Sequence, residues 1–191
     1  MKKAADSPPH ARPFLKWAGG KQQLLSQFHE YWPKRYKRYI EPFVGGGAVF
    51  FHLYNTERLP EKSCLFDNNE ELVNLYCIVR DRPDDLAAIL AIHKKNHSKA
   101  YYYAIRALDR RGAILNDVAR AARTIYLNKT CYNGLYRLNS KGQFNTPIGL
   151  YRNPRICNEV LIEQASRALQ GVTIETLDFR QLPGCVQKGD F

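Results

Sequence analysis

The sequence predicts an α/β fold built on a parallel sheet. Two short apolar segments, at residues 39–44 and 64–66, each precede a stretch whose apolar residues have helical spacing. A third segment, residues 172–177, alternates apolar and polar side chains as a strand does. Strands that alternate with helices in this way form βαβ units, whose strands lie parallel in one sheet.

Local signals predict the remaining elements. Residues 1–12 hold prolines among polar neighbours, and we expect them to form a flexible leader. A helix is predicted after residues 19–20 and ends at Pro33, and two more follow the first two strands. We interpret residues 72–165 as a helical insertion and residues 13–71 and 166–191 as the core. Within the insertion, helices are expected at 83–96, 99–110, 114–128 and 153–169. Ile114 belongs to the apolar face of the third. The density of glycine, asparagine and proline at 129–152 is typical of a hairpin or a long loop.

Composition restricts the class of protein. The 191 residues are 45% apolar and 25% charged, which is the profile of a soluble globular domain. No apolar run approaches the roughly 20 residues needed to cross a bilayer, and the first residues lack the apolar stretch of a secretion signal. We therefore expect a cytoplasmic protein without a membrane partner.

Cysteines and histidines show no disulfide or metal pattern. The five cysteines are an odd number without a Cys-x-x-Cys pair, so we expect buried or half-buried free thiols. His93 and His97 stand four residues apart on a predicted helix, but Lys94 occupies the place where a metalloprotease helix carries glutamate. We interpret this stretch as a solvated, lysine-rich helix face and predict no metal site.

The net charge of +11 is concentrated in two parts of the chain. Residues 1–60 hold ten Lys and Arg against four Asp and Glu, and residues 111–165 hold eight against three. Tyrosines lie among these cations: Tyr31, Tyr36 and Tyr39 with Lys34, Arg35, Lys37 and Arg38, and Tyr132, Tyr136 and Tyr151 with Lys129, Arg137, Lys141 and Arg152. Because cations neutralise phosphates and rings stack on bases, the pattern favours nucleic acid as a partner.

A glycine turn between strand and helix predicts a ligand site. Residues 45–47 are three glycines that open a helix, where backbone N–H groups are unpaired and a ligand can approach closely. Asp67 ends the second strand, where a carboxylate accepts ribose hydroxyls in nucleotide-binding βαβ units. Together they indicate an adenosine-containing ligand. Residues 19–21 do not complete a P-loop, because Leu15 and Gln22 stand where that motif needs glycine and serine or threonine.

Five segments resemble, in order, the signatures of the Dam-like (D12 class) adenine-N6 DNA methyltransferases. Pro-Phe-Leu-Lys-Trp-Ala-Gly-Gly-Lys at 13–21 is similar to motif X, and Glu-Pro-Phe-Val-Gly-Gly-Gly at 41–47 is similar to motif I. Leu-Phe-Asp-Asn-Asn at 65–69 resembles the acidic strand end, the sequences at 127–137 and 142–149 resemble the target-recognition hairpin, and Leu-Asp-Phe at 177–179 resembles a later strand end. The resemblance implies a Rossmann-like methyltransferase sheet with a helical target-recognition insertion.

The resemblance also implies ligands and residue roles. The cofactor would be S-adenosylmethionine, the partner double-stranded DNA and the methyl acceptor N6 of adenine. The residues implied to bind the cofactor are Trp17, Lys21, Gly45, Gly46, Gly47, Asp67 and Asp178. Those expected to contact DNA are Lys129, Tyr132, Asn133, Arg137 and Lys141. Arg137 has the guanidinium suited to a bidentate bond with guanine.

One signature of the family has no counterpart here. Its members hold the flipped adenine with an Asp-Pro-Pro-Tyr turn after the strand that residues 189–191 begin, and the 191 residues contain no such sequence. We therefore predict no catalytic residues in this chain and expect a C-terminally truncated sheet, in an inactive or split fragment with a complementary C-terminal fragment as a candidate partner. Two other classes stay open, a DNA-binding module without catalysis and a nicotinamide-dependent oxidoreductase, although motif X disfavours the second.

Overall fold

The computed structural model describes residues 10–191, apart from the side chain of His29. Residues 1–9, most of the predicted leader, lie outside the described residues. The end of that leader packs against the fold. Ala11 is buried, its N–H donates to Asn55 Oδ1 at 3.0 Å, and its carbonyl accepts a hydrogen bond from Asn55 Nδ2 at 2.8 Å. The packed part of the chain therefore includes residues that precede Pro13, the predicted start of the core.

Three parallel strands form a sheet in the order β1 (Arg38–Glu41), β2 (Lys62–Asp67) and β3 (Thr173–Thr176). Glu41 of β1 stands opposite Leu65 of β2, and Asp67 of β2 stands opposite Thr176 of β3. The carboxyl ends of the strands, with the acidic residues Glu41 and Asp67, therefore meet at one edge. The predicted α/β fold with a parallel sheet is confirmed.

The last residues of the chain run alongside β1, on the side away from β2. Ile40 N–H donates to Phe191 O at 2.7 Å, and Phe191 N–H donates to Arg38 O at 3.0 Å. Asp190 forms a parallel bridge with Arg38 and accepts hydrogen bonds from its guanidinium at 3.0 and 2.6 Å. Residues 189–191 are thus extended and paired with the sheet, as predicted.

Seven α-helices accompany the sheet within the described part of the chain. They are α1 (Leu25–Phe28), α2 (Ala48–Asn55), α3 (Glu70–Asp81), α4 (Pro83–Asn96), α5 (Lys99–Arg106), α6 (Asp117–Thr130) and α7 (Glu159–Leu169). Short 3₁₀ turns occupy Lys21–Leu24, His29–Tyr31, Ala107–Arg110, Tyr132–Gly134 and Phe179–Gly184. Four helices begin where a side-chain oxygen accepts a hydrogen bond from a backbone N–H of the first turn: Asn69 for α3, Ser98 for α5, Asn116 for α6 and Asn158 for α7.

Two helices begin later than their apolar patterns predict. Ile114 is fully exposed and precedes α6, which starts at Asp117 after its cap. α7 starts at Glu159 and not at residue 153, because Asn158 caps it by accepting a hydrogen bond from Leu161 N–H; Pro154 also disfavours helical backbone at residue 153. The helix predicted after residue 20 is divided into a 3₁₀ turn, the single turn α1 and a second 3₁₀ turn.

One apolar core joins the sheet to the helices of residues 72–165. α3 packs against β2 and β3 and also against α6 and α7, while α6 packs against α4 and α5. Leu72, Leu75 and Tyr76 of α3 are fully buried at this junction. Because the two parts share α3, the helices are fixed relative to the carboxyl edge of the sheet.

His93 is part of this core and not of a solvated face. Its ring stacks on Tyr126 with centroids 4.9 Å apart, and its Nδ1 lies 2.8 Å from Tyr101 Oη. Burial lowers its pKa to about 4. The prediction of a solvated face is correct for Lys94 and Lys95, which are exposed, and wrong for His93, which turns toward the aromatic cluster.

The cysteines are unpaired, Cys131 buried and the other four half-buried, as predicted. No three His, Cys, Asp or Glu side chains among residues 10–191 are grouped closely enough to hold a metal ion. None of the helices in this part of the chain has the length and apolar character needed to cross a membrane.

Candidate functional site

A cavity of about 620 Å³ opens at the carboxyl edge of the sheet. This edge is where open α/β sheets bind ligands, and the volume is in the range of small-molecule sites. Five of the seven residues predicted to bind a cofactor line it: Trp17, Lys21, Gly45, Gly46 and Asp67. Gly47 and Asp178 are not in its wall.

The glycine loop is held by hydrogen bonds from both sides. Gly45 N–H donates to Asp67 Oδ2 at 3.1 Å, and the Gly45 carbonyl accepts a bond from Tyr76 Oη at 3.1 Å. The second oxygen, Oδ1 of Asp67, accepts a bond from Asn69 N–H at 3.1 Å. Asp67 therefore fixes the glycine loop and is also one of the residues that line the cavity.

Gly47 ends the glycine loop in a left-handed conformation and packs closely against Tyr76 and Phe51. Its φ of +70° is in the left-handed region, and it is the residue before α2. A Cβ at this position would lie 2.6 Å from Tyr76 Oη and 3.1 Å from Phe51 Cε2. The conformation and the close packing both require glycine, so Gly47 determines the shape of the loop without lining the cavity.

Trp17 forms a wall shared by the cavity and the hairpin segment. A Cβ on Gly45 would lie 2.9 Å from the Trp17 ring, so the absence of a side chain lets the indole approach the loop. The indole also contacts the Tyr136 ring, with centroids 5.2 Å apart. Lys21 follows in the same segment, and its Nζ donates to Gly19 O at 2.9 Å.

Glu41 is a cavity residue that the sequence analysis assigned no role. It accepts a hydrogen bond from Tyr39 Oη at 2.8 Å and another from the backbone N–H of Phe50. Burial raises the pKa of its carboxyl to about 7, and those two bonds and the charge of Lys21 oppose the rise. The cavity therefore contains one carboxyl group that changes charge near neutral pH.

Glu41→Gln is expected to change how stability depends on pH. Because the folded pKa exceeds the unfolded value near 4.5, Glu41 stabilises the fold below that pH, and this stabilisation is lost as the pH rises to about 7. Between pH 5 and 7.5 the Gln variant should therefore gain about 1–3 kcal/mol relative to the parent, as measured by urea unfolding.

The quantity to compare is the difference in unfolding free energy between the parent and Glu41→Gln at each pH. Neutral His93 produces the opposite trend in both, since its lowered pKa makes the fold gain stability as pH rises above about 4. Parallel stability curves for parent and Glu41→Gln would contradict the assignment of a raised pKa to Glu41.

Asp178 lies just beyond β3, at the same edge of the sheet. Its carboxylate accepts bonds from the Arg180 backbone N–H at 2.9 Å and from the Arg180 guanidinium, and this pairing lowers its pKa to about 2. The next residue, Phe179, is exposed and contacts Phe43 of the cavity wall, with ring centroids 5.9 Å apart. The predicted role of Asp178 in binding a cofactor stays a prediction.

Residues 129–152 form a loop closed by two antiparallel bridges, Cys131–Ile148 and Leu138–Phe144. Asn133 and Gly134 turn the chain with φ of +52° and +68°. The Tyr132 ring is 52% exposed, which leaves it available for contact. Arg137 is exposed, and its Nε donates to Asn145 Oδ1 at 2.7 Å, so the loop fixes the direction of its guanidinium.

Asn128 joins this hairpin to the segment of Trp17, and the sequence analysis gave it no separate role. Its amide accepts a bond from Lys16 N–H at 2.9 Å and donates to Lys16 O at 2.7 Å and Gly134 O at 3.0 Å. Its exposure is 1%. A polar amide at the end of an otherwise apolar helix face is the sequence signal that indicates such a role.

The two predicted basic blocks differ in structure. In the second, Lys141 is exposed and Lys129 is half-buried, and neither forms an ion pair with another side chain of residues 10–191. In the first, Tyr39 is buried and Arg38 pairs with Asp190, so the prediction that this block stacks on bases and neutralises phosphates is wrong for these two residues. This block also leads into the amino end of β1, at the edge of the sheet opposite the cavity.

Comparison with known protein families matches residues 17–191 to the D12 class N6 adenine-specific DNA methyltransferases. The chain belongs to this family. The predicted membership is thereby confirmed, and the match begins at Trp17, the first residue of the D12 methyltransferase chain that lines the cavity.

Individual relatives agree with the family. The chain is 44% identical over 184 residues to the type II methyltransferase M1.LlaDCHI of Lactococcus lactis subsp. cremoris, covering 94% of this chain and 63% of that protein. It is 42% identical over 181 residues to the type II methyltransferase M.MjaIII of Methanocaldococcus jannaschii, covering 88% and 62%. It is 37% identical over 160 residues to the DNA adenine methylase of Escherichia coli strain K12, covering 82% and 54%. The D12 chain thus spans between half and two thirds of the length of these relatives.

Proposed function

We propose that this chain binds S-adenosylmethionine in the sheet-edge cavity and double-stranded DNA on the hairpin, as part of an enzyme that methylates N6 of adenine. The observation that carries the proposal is the position of Trp17. Trp17 lines the cavity, and its ring also contacts Tyr136 of the hairpin. A cofactor in the cavity and a DNA strand on the hairpin would therefore be neighbours.

The cavity has the chemistry that the cofactor needs. The carboxylate of Asp67, which ends β2, would accept the ribose hydroxyls. Side chains added at Gly45 and Gly46 would contact Trp17, so the loop keeps the space beside the indole clear. Lys21 and Trp17, in the segment similar to motif X, would lie at the methionine end. Bound there, the cofactor would supply the methyl group.

The hairpin has the chemistry for reading duplex DNA. Arg137 is exposed and oriented by Asn145, so its remaining N–H groups can meet the acceptors of a guanine. Tyr132 offers an exposed ring, and Asn133 an exposed amide in a left-handed turn. Lys141 and Lys129 add positive charge for phosphates.

Methyl transfer also requires groups that hold the flipped adenine, and the 191 residues contain no Asp-Pro-Pro-Tyr. We infer that these 191 residues by themselves bind their ligands without transferring a methyl group, and that residues outside them would supply the missing turn. Incubation with labelled S-adenosylmethionine and duplex DNA should give no labelled DNA. Turnover by the chain alone would contradict this part of the proposal.

Two binding measurements separate the candidate functions. Calorimetry should show binding of S-adenosylhomocysteine and no binding of NAD, because the cavity pairs motif X with a ribose acceptor. Fluorescence anisotropy should show that a labelled duplex binds more tightly when S-adenosylhomocysteine is present. Duplex binding without any cofactor binding would favour a DNA-binding module, and preference for NAD would favour an oxidoreductase.

Arg137→Ala is expected to relax sequence discrimination, with a loss of about 1–3 kcal/mol on the preferred site and little change on other sequences. Lys141→Ala is the matched control, since removal of a phosphate contact should weaken binding to all sequences equally. Anisotropy titrations with duplexes that differ at single base pairs make the comparison. Equal losses on every sequence for Arg137→Ala would identify Arg137 as a phosphate contact.

A further inference from the structure

A second cavity, of about 290 Å³, lies between the amino-terminal segment and α7. Three cationic side chains line it: Arg12 from the amino-terminal segment, Lys129 from the last turn of α6 and Arg155 from the segment before α7. The amides of Gln22 and Asn158 also line it, and no Asp or Glu belongs to its wall. Cations from three separate parts of the chain therefore meet without a carboxylate among them.

The charges in this cavity are not neutralised. No ion pair within residues 10–191 includes Arg12, Lys129 or Arg155. Burial and the neighbouring charge of Lys16 lower the pKa of Lys129 to about 8. An anion beside these cations would offset both the loss of hydration and the mutual repulsion.

The positive surface continues beyond the cavity. Arg155 also lines an adjacent open cleft, together with the exposed Lys94 and Lys95 of α4 and one carboxylate, Glu159. The cations thus extend from the cavity to α4, over a wider surface than a single small anion would contact.

We propose that the groove of Arg12, Lys129 and Arg155 binds phosphate groups of a nucleic acid backbone. This inference rests on the proposed function and adds to it Arg12 and Arg155, which contribute charge and no base recognition. The groove therefore supplies affinity that is independent of sequence, while Arg137 on the hairpin supplies discrimination.

The test uses the double variant Arg12→Ala/Arg155→Ala, both of whose residues are exposed. Affinity for a short labelled duplex is measured by anisotropy between about 50 and 200 mM KCl. Each lost phosphate contact flattens the plot of log affinity against log salt by about 1, so the double variant should lose about 1–2 from the slope. Affinity should fall by the same factor on every duplex sequence.

The matched control is Lys62→Ala/Lys188→Ala, which removes the same charge from exposed side chains at the start of β2 and just before residues 189–191. Its slope should equal that of the parent. If both double variants flatten the slope equally, the effect belongs to net charge and the groove assignment is overturned. Arg12→Lys/Arg155→Lys keeps the charges and should retain most of the slope.

Melting temperatures measured with and without pyrophosphate test whether the groove binds free phosphate. Together with the duplex titrations, they show whether the groove assignment or the proposed function fails. If the parent binds the duplex and the groove variant keeps the parental slope, the groove assignment fails and the proposed function stands. If the parent binds no duplex, the proposed function fails, and so does the assignment of the groove to a backbone. A pyrophosphate-dependent rise in melting temperature for the parent alone would then identify a site for free phosphate.

Discussion

Replacement of Gly47 by alanine is expected to lower the free energy of unfolding by about 2–5 kcal/mol. The φ of +70° costs an alanine about 1–2 kcal/mol. The added methyl group would also lie 2.6 Å from Tyr76 Oη and 3.1 Å from the Phe51 ring, and overpacking of buried groups costs about 1–3 kcal/mol. Urea unfolding followed by circular dichroism measures the sum.

Gly171 provides the matched control. Its φ of +74° is nearly the same, but a Cβ there would have no neighbour within 4 Å. Gly171→Ala should therefore lose only the backbone part, about 1–2 kcal/mol. Tyr76→Phe in the Gly47→Ala background should recover part of the loss, because it removes the nearest atom. Equal losses for the two glycine variants would contradict the steric argument.

Asp67→Ala is expected to reduce the affinity for S-adenosylhomocysteine by roughly 100-fold or more. Two ribose hydroxyls would lose a charged acceptor, and hydrogen bonds to a charged group contribute about 1.5–3 kcal/mol each. The same change frees Gly45 N–H, so the loop loses a support as well. Calorimetry measures the binding, and circular dichroism establishes that the variant is folded.

Asn69→Ala separates loss of the acceptor from loss of local order. Asn69 caps α3 by accepting bonds from Glu71 N–H and Leu72 N–H, so this variant costs about 1 kcal/mol of stability while Asp67 stays in place. Its affinity should stay within a few-fold of the parent. If it binds as poorly as Asp67→Ala, the ribose assignment is wrong. Asp178→Ala tests the remaining prediction, and unchanged affinity would remove Asp178 from the site.

Elements with a strong local signal could be predicted from the sequence. Short apolar segments predict the three strands. The residues that end those segments predict the glycine turn before α2 and the position of Asp67 at the edge of the sheet. The starts of α6 and α7 could not, because Asn116 and Asn158 each outweigh the apolar pattern that precedes them. His93 looked solvated because its partner Tyr126 is thirty-three residues away in the sequence and reaches it only through helix packing.

The candidate site shows the same division. Trp17, Lys21 and Asp67 stand in recognisable motifs, and the structure brings them to one cavity. Glu41 and Asn128 stand in two other matched segments, 41–47 and 127–137, but their importance depends on burial and on partners elsewhere in the chain. Gly47 differs from the other two glycines because it packs closely against Tyr76, which belongs to another helix, and this contact cannot be seen in the sequence.

The amide of Asn128 has a thermodynamic consequence. It forms hydrogen bonds with the N–H and the carbonyl of Lys16 and with the carbonyl of Gly134. The segment that contains Lys16 and Trp17 and the turn of the hairpin therefore cannot shift independently. A ligand that repositions one must do work on the other. By reciprocity, whatever factor a cofactor adds to the affinity for DNA, DNA must add to the affinity for the cofactor.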